Sequence, residues 1–526
     1  MMTITRIAAA MLFMAAGAWL IGEAHAADPG SLAKSATGLS PSCFEKRQAL
    51  IKSRPGGCDD VPCTTSLAEA RKKATLSGNP VGWRTDGTGS YPKAQPPLEW
   101  SPAKNVAWRT AMPGYGVSHP VPLGLRVFIC SEPCILLCVH RDNGKILWQK
   151  NSSYDELEIP PDVRARLNVE LEKAAILKKE QSAIQKKMDL LRRSLMKDLP
   201  SNDEIEKKRQ RAGIEKKLQP FRKQIEELRN EGQKLTLAVR YTVPPIHGTA
   251  GYSAPTPVTN GRDIFVAFGN GLVACFDLEG NRKWLKLIEH SNAAYAHSSS
   301  PILVGDKLLI HFTDLVALDT KTGTEVWRIN HPTSHGTSLV TRIGDVDVVL
   351  TPKGLMVRAQ DGKVLAERLG SCGANSPILH DGVVYYVHGR ANAIRLPESL
   401  VEPVKVETLW KANVKGGGYG FSSPVIHEGL LYTANDQGIL TALEIATGKV
   451  VYEERLNHDG TTYPSLSVAG NRMFASSARG TTVVLEPGRE FKVLGRNRLE
   501  PFRSSLVFDG RRVYCRTEKN LYCIGE

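Results

Sequence analysis

The sequence predicts an all-β fold, an eight-bladed β-propeller with a composite closing blade shared by the N- and C-terminal ends, plus an inserted α-helical hairpin. Three observations predict it. Strand-ending residues, most of them aromatic, recur about every 39 to 44 residues at Trp108, Trp148, Trp284, Trp327, Ala366, Trp410, Tyr452 and Leu494, apart from one gap. A polar Gly-containing turn, such as Asn143-Gly144-Lys145 or Thr447-Gly448-Lys449, usually stands before each end. The exceptional gap, Trp148 to Trp284, holds a helical heptad pattern instead of strands.

In chain order, residues 1–26 read as a signal peptide. Arg6 gives a positive n-region, Ile7 to Ile21 an apolar h-region, and Ala24-His25-Ala26 a cleavage site, so the cut is predicted after Ala26. The protein is therefore expected to be exported, periplasmic or secreted, with no transmembrane segment in the mature chain. Residues 27–100 form a lead-in rich in Ser, Gly and Pro, with Cys43, Cys58 and Cys63 and a short helix around Ser66 to Leu76. Its turn-rich patch Trp83 to Gly89 is expected to pack on the domain that follows.

The propeller is assigned to residues 101–151 and 242–526. Small polar clusters (Ser299-Ser300-Pro301, Asn375-Ser376-Pro377, Ser422-Ser423-Pro424) introduce the first strand of a repeat. The last repeat stops before its outer strand, and Asn105 to Arg109 is an outer strand without predecessors. Pairing the two closes the ring and removes both exposed edges. Residues 152–241 are the helical insert. Ala174, Leu177, Gln181, Ile184, Met188, Leu191 and Leu195 make one seam, and Ile214, Leu218, Phe221, Ile225 and Leu228 the other. The helix is expected to kink or break at Pro220, because an interior proline loses a backbone hydrogen bond.

The formal charge of +14 and pI of 9.2 invite a nucleic-acid reading, but about half of the excess lies in the insert, whose mixed-sign helix surface reads as a solvated face. No nucleic acid is expected. Two cysteine pairs, Cys130 with Cys134 and Cys515 with Cys523, flank strand-turn-strand patterns as cross-strand neighbours, either disulfide-bonded or packed as buried thiols. No C-x-x-C-H or zinc-type C-x-x-C is present.

The Ala-Leu-Asp-x-x-Thr-Gly-x-x-x-Trp pattern of Ala317 to Trp327, with weaker copies around Trp148, Trp284 and Tyr452, resembles the quinoprotein-type (pyrroloquinoline-quinone-like) propeller repeat. The resemblance covers roughly Trp100 to Glu526 outside the insert. It implies eight blades, with Trp148, Trp284, Trp327 and Trp410 docking between blades as structural groups. The family divides between quinone-dependent dehydrogenases and non-catalytic scaffolds such as those resembling outer-membrane-protein assembly lipoproteins. The dehydrogenases carry adjacent cysteines, a tryptophan floor and a calcium site with Glu, Asn and Asp ligands; here no two cysteines are adjacent. Nor does a cysteine closely follow the h-region to carry the lipid of the scaffolds.

The connections that lead into the innermost strands should form a ring at the channel mouth: His119, Tyr252, His297, His335, Asn375, Tyr419, Tyr463 and Arg503, with Ser118, Ser253, Ser298 and Thr337 beside them. Such groups suit an anionic or aromatic ligand. No catalytic residue and no metal ligand is assigned. The insert leaves from the same kind of connection and shares that face. The expected function is an exported, non-catalytic binding or scaffold protein that meets protein or cell-envelope partners through the insert. The alternative is a PQQ-dependent oxidoreductase of the alcohol or sugar dehydrogenase type, with calcium; a third reading is a carbohydrate or polyanion binder using the basic arm.

Overall fold

The computed structural model describes residues 80–197, 204–245, 250–291, 297–415 and 420–525, with side chains from residue 207 in the second long helix. All belong to one compact unit, Ala68–Glu526. The proposed signal peptide, Cys43, Cys58, Cys63 and the helix near Ser66 lie outside the described residues.

Apolar runs bounded by Gly turns fold into eight sheets, each with an antiparallel four-stranded meander. Blade 1 runs from Val121–Leu123, the inner strand, through Arg126–Ser131 and Ile135–His140 to the outer Ile146–Asn151. The inner strands of blades 2 to 8 are Val258–Thr259, Ile302–Val304, Leu339–Ile343, Ile378–His380, Val425–His427, Ser467–Ala469 and Val507–Asp509. Blade 8 is composite: Val106–Ala111 pairs antiparallel with the chain's last strand, Asn520–Ile524.

The outer-strand tryptophans join neighbouring blades. The indole N–H donates to a turn carbonyl of the next blade for Trp108 (Arg141, 2.8 Å), Trp148 (Leu278, 3.1 Å), Trp284 (Thr320, 3.0 Å), Trp327 (Ala359, 3.0 Å) and Trp410 (Ile445, 2.8 Å). The ring faces the turn glycine: a β-carbon at Gly362, where φ is +76°, would lie 2.9 Å from Trp327. A β-bulge precedes each of these tryptophans, which turns Leu147 and Val326 toward solvent. In blade 7 the bulged residue is Leu494, so the tryptophan position falls on Gly495, a correction to the strand end read from sequence. Leu98 and Trp100 of the lead-in take the vacated space, tied to Asn497 by a 2.7 Å bond from the Trp100 N–H.

Blades are also linked at the inner edge. The N–H of His119 donates to Thr256 Oγ1, that of Thr256 to Ser300 Oγ, Ser300 to Thr337, Thr337 to Ser376, Ser376 to Ser423, Ser423 to Ser465 and Ser465 to Ser505, all between 2.8 and 3.1 Å. The polar clusters before the inner strands are thus staples from blade to blade. Each hydroxyl satisfies a buried N–H that an inner strand leaves unpaired.

The insert is helical as expected. Helix α1, Pro161–Lys197, and helix α2, Glu204–Gln233, lie against each other, and a short helix α3, Thr236–Tyr241, follows. Every residue of both predicted seams is buried or half-buried. Helix α2 continues through Pro220 without interruption, because only one intrahelical bond is lost there and the seam on either side holds the register. Of the two alternatives for the cysteine pairs, buried thiols hold, and only their placement as cross-strand neighbours is corrected. Cys515 lies opposite Tyr522 and Cys523 opposite Tyr514, so the two thiols point to opposite faces of their sheet. Cys130 lies opposite Leu136 while Cys134 is in the turn. All seven described cysteines are buried and free.

Candidate functional site

The connections from outer to inner strands and the turns between second and third strands meet on one face, the mouth. The insert connects the outer strand of blade 1 to the inner strand of blade 2, so it rises from that face. Its root is fixed. Tyr154 donates to the Asn270 carbonyl at 2.6 Å, Arg240 to that of Leu287 at 3.1 Å, and Glu170 accepts the N–H groups of Leu237 and Ala238 at 2.8 and 3.0 Å.

The channel is filled from the opposite face. Val81 pairs antiparallel with Thr259 of blade 2, and Gly82 and Thr85 bond each other across a tight turn. Ser90–Tyr91 then returns parallel to the inner strand of blade 7. Residues 80–91 are therefore a hairpin pushed up the axis, its tip Trp83-Arg84 directed at the mouth. The patch predicted to pack on the propeller packs inside it. Arg84 is 1% exposed; its guanidinium donates to the carbonyls of Pro424 at 3.0 Å and Leu466 at 2.6 Å. Burial pulls its pKa from 12.5 down to about 10, so it stays charged at neutral pH. Trp83 leans on His119 with ring centroids 6.1 Å apart.

The mouth residues fall into local groups. His297 is fully buried, stacked on Phe312 at 4.4 Å, its Nε2 3.6 Å from Glu289 Oε1. Burial lowers its pKa to about 3, as it does for His119, so both are neutral. His335 Nδ1 is 3.0 Å from the Ser298 hydroxyl, which joins the starts of blades 3 and 4. Tyr252 donates to the Pro244 carbonyl at 2.5 Å. Ser253 bonds Glu132 Oε1 through its N–H at 2.7 Å and its hydroxyl at 2.6 Å, and burial pushes that carboxyl up. Arg503 sits over the Tyr463 ring at 5.0 Å, and Tyr463 stacks on Phe421 at 4.1 Å. Tyr419 lies outside the described residues. Asn375 donates to the carbonyls of Val387 at 3.1 Å and Ser422 at 3.3 Å, and it borders a cleft of about 360 Å³ with His388, Lys415, Thr433 and Asn435. Glu132 and the Phe421 platform were missed in the sequence because they sit in second-to-third-strand turns or beside a staple, where no repeat position marks them.

A second groove of about 860 Å³ runs at the arm's root between α3 and blades 2 and 3. Its charges are largely paired: Arg328 lies 3.3 Å from Glu289, 3.0 Å from Asp314 and 2.7 Å from Glu325. Among the described residues no cluster of His, Cys, Asp or Glu is arranged to hold a metal ion. Among the described residues the cysteines are separate and buried, and the Arg84 guanidinium places at the channel tip a positive charge that disfavours a calcium ion beside it.

Residues 245–400 and 399–490 match the family model described as outer membrane protein assembly factor BamB. Residues 245–490 of the propeller thus carry PQQ-like repeats. Solved structures similar to this PQQ-like propeller include BamB from Moraxella catarrhalis, at 12% identity, TM-score 0.46, covering 80% of this chain and 97% of that one. Quinohemoprotein alcohol dehydrogenase from Comamonas testosteroni has 11% identity and TM-score 0.49, with 88% and 85% covered. A europium-containing methanol dehydrogenase has 10% identity and TM-score 0.49, with 87% and 100% covered. No curated protein sequence matches.

Proposed function

We propose that this PQQ-like propeller is an exported, non-catalytic binding protein that meets cell-envelope partners through the mouth face and the helical arm above it. The observation that carries this reading is the arm itself. It is rigidly rooted at the mouth, and its two long helices pack on each other and on α3, leaving their outward faces to solvent. The polar mouth groups are mostly engaged in holding blades together, and the hairpin fills the axis beneath them. The matched family description, an outer membrane assembly factor, is consistent with protein partners in the envelope. The n-region, h-region and Ala24-His25-Ala26 site support export.

Cross-linking in intact envelopes tests the reading, comparing the full protein with one whose residues 161–233 are replaced by a short Gly/Ser linker. The expected result is a set of cross-linked envelope proteins lost with the arm while propeller circular dichroism is kept. Turnover of an alcohol or sugar with an artificial electron acceptor after addition of pyrroloquinoline quinone and calcium would overturn it.

A further inference from the structure

The outward face of α1 carries two parallel lines of side chains. Ile176, Ala183 and Leu190 recur every seven residues on the side turned away from the seam, and Ile176 and Leu190 are 58% and 65% exposed. Three residues after each stands a basic one, Lys179, Lys186 and Arg193, all exposed and forming no ion pair among the described residues. On a 3.6-residue helix, positions three apart are neighbours, so an apolar line and a basic line run side by side for about 25 Å at 1.5 Å per residue. Arg209, Lys216 and Lys223 make a similar seven-residue line on α2, all exposed. The charge is concentrated toward the tip: residues 178–197 hold seven basic and two acidic side chains.

We infer that this face of the arm rests on an anionic phospholipid surface. The inference deepens the envelope-partner reading and rests on it for the compartment. Three alternatives fit less well. A partner helix would need two apolar positions per heptad to build a seam, and here every second one is Lys or Arg. A second copy of the arm would set basic line against basic line. A nucleic acid would neutralise the charges but offer nothing to Ile176 and Leu190. A bilayer surface satisfies both lines and needs no register: long basic side chains reach the phosphates while apolar ones enter the headgroup boundary.

The test is sedimentation with vesicles of phosphatidylglycerol and phosphatidylcholine, or of phosphatidylcholine alone. The full chain is run in parallel with the chain from Ala27, so that the apolar leader cannot account for binding. The expected result is binding to the anionic vesicles only, falling steeply between low and high salt. At about fivefold per charge, Lys179→Ala/Lys186→Ala/Arg193→Ala should weaken it on the order of 100-fold. Ile176→Ser/Leu190→Ser should weaken it several-fold, with helix content unchanged in both variants. Equal binding to phosphatidylcholine, no binding, or indifference to either variant overturns the inference. So does full displacement by polyglutamate with indifference to the apolar variant, which would identify an acidic protein. Loss of lipid binding with arm-dependent cross-links kept refutes the lipid surface while leaving the protein-partner reading standing.

Discussion

Replacing Arg84 weighs the two forces that hold the channel hairpin. Its guanidinium makes two hydrogen bonds to carbonyls of blades 6 and 7. Bonds from a charged donor contribute about 1.5–3 kcal/mol each, so roughly 3–6 kcal/mol would be lost with them. Against this, burial lowers the pKa from 12.5 to about 10, a penalty of about 3 kcal/mol on the charged form that the variant no longer bears. Arg84→Met, which keeps the apolar stem, should therefore lose at most about 3 kcal/mol, the remainder after both terms. Arg84→Lys should be less stable than Arg84→Met at pH 7: an ammonium is harder to desolvate and cannot bridge both carbonyls. Urea unfolding followed by tryptophan fluorescence measures both, and protease cleavage near Gly87 reports whether the hairpin has left the channel. A Met variant clearly more stable than the parent, or a Lys variant more stable than the Met one, would refute the reasoning.

Acid should loosen the ring. His119, His297 and His311 are held neutral by burial, with pKa values near 3, whereas an unfolded chain titrates near 6.5. Above pH 6.5 neither state binds these protons; below it only the unfolded state does, so stability falls progressively down to about pH 3, by at most about 2 kcal/mol per histidine at pH 5. His297→Phe, which can stack on Phe312, should flatten the urea-midpoint profile between pH 6.5 and 5, and an unchanged profile would contradict this. Trp327→Ala should cost about 3–5 kcal/mol, losing the indole bond to Ala359 and the contact with the Gly362 turn. A thermal midpoint within a degree of the parent would show the docking to be dispensable.

What was legible in the sequence is what repeats. Trp148, Trp284, Trp327 and Trp410 stand at one blade position, and the missing outer strand at the C-terminus pointed to Val106–Ala111 as its completion. The heptad seam from Ala174 to Leu195 gave the arm for the same reason, a period of 3.5 surviving in an otherwise polar segment. The hairpin was not legible as a plug. Arg84 bonds residues 340 and 382 positions away, and no local period encodes such a partner. The cysteine pairs misled because symmetric spacing around a turn does not fix register, which in the Cys515 hairpin is offset by one. The polar clusters were visible as markers of inner strands, but their hydroxyls serve the preceding blade, a role that appears only when the ring is closed. Burial, which makes His297 a stacked core group, depends on Phe312 in the second-to-third-strand turn of blade 3 and on Glu289 eight residues back in its own connection, contacts that no repeat position marks.

The channel hairpin also constrains the order of events during folding. Residues near the beginning of the chain complete their bonds only on Pro424, Leu466 and the strand Ser467–Ala469, and Val106–Ala111 finds its partner only in Asn520–Ile524. Residues 84–91 and 106–111 are thus synthesised well before the partners they settle against. The early segment must wait, unpaired, until most of the later blades exist, and then enter a passage those blades have formed. Its insertion acts as a latch on a finished ring, so a chain cut short anywhere before Ser467 lacks one side of the latch as well as the missing blades.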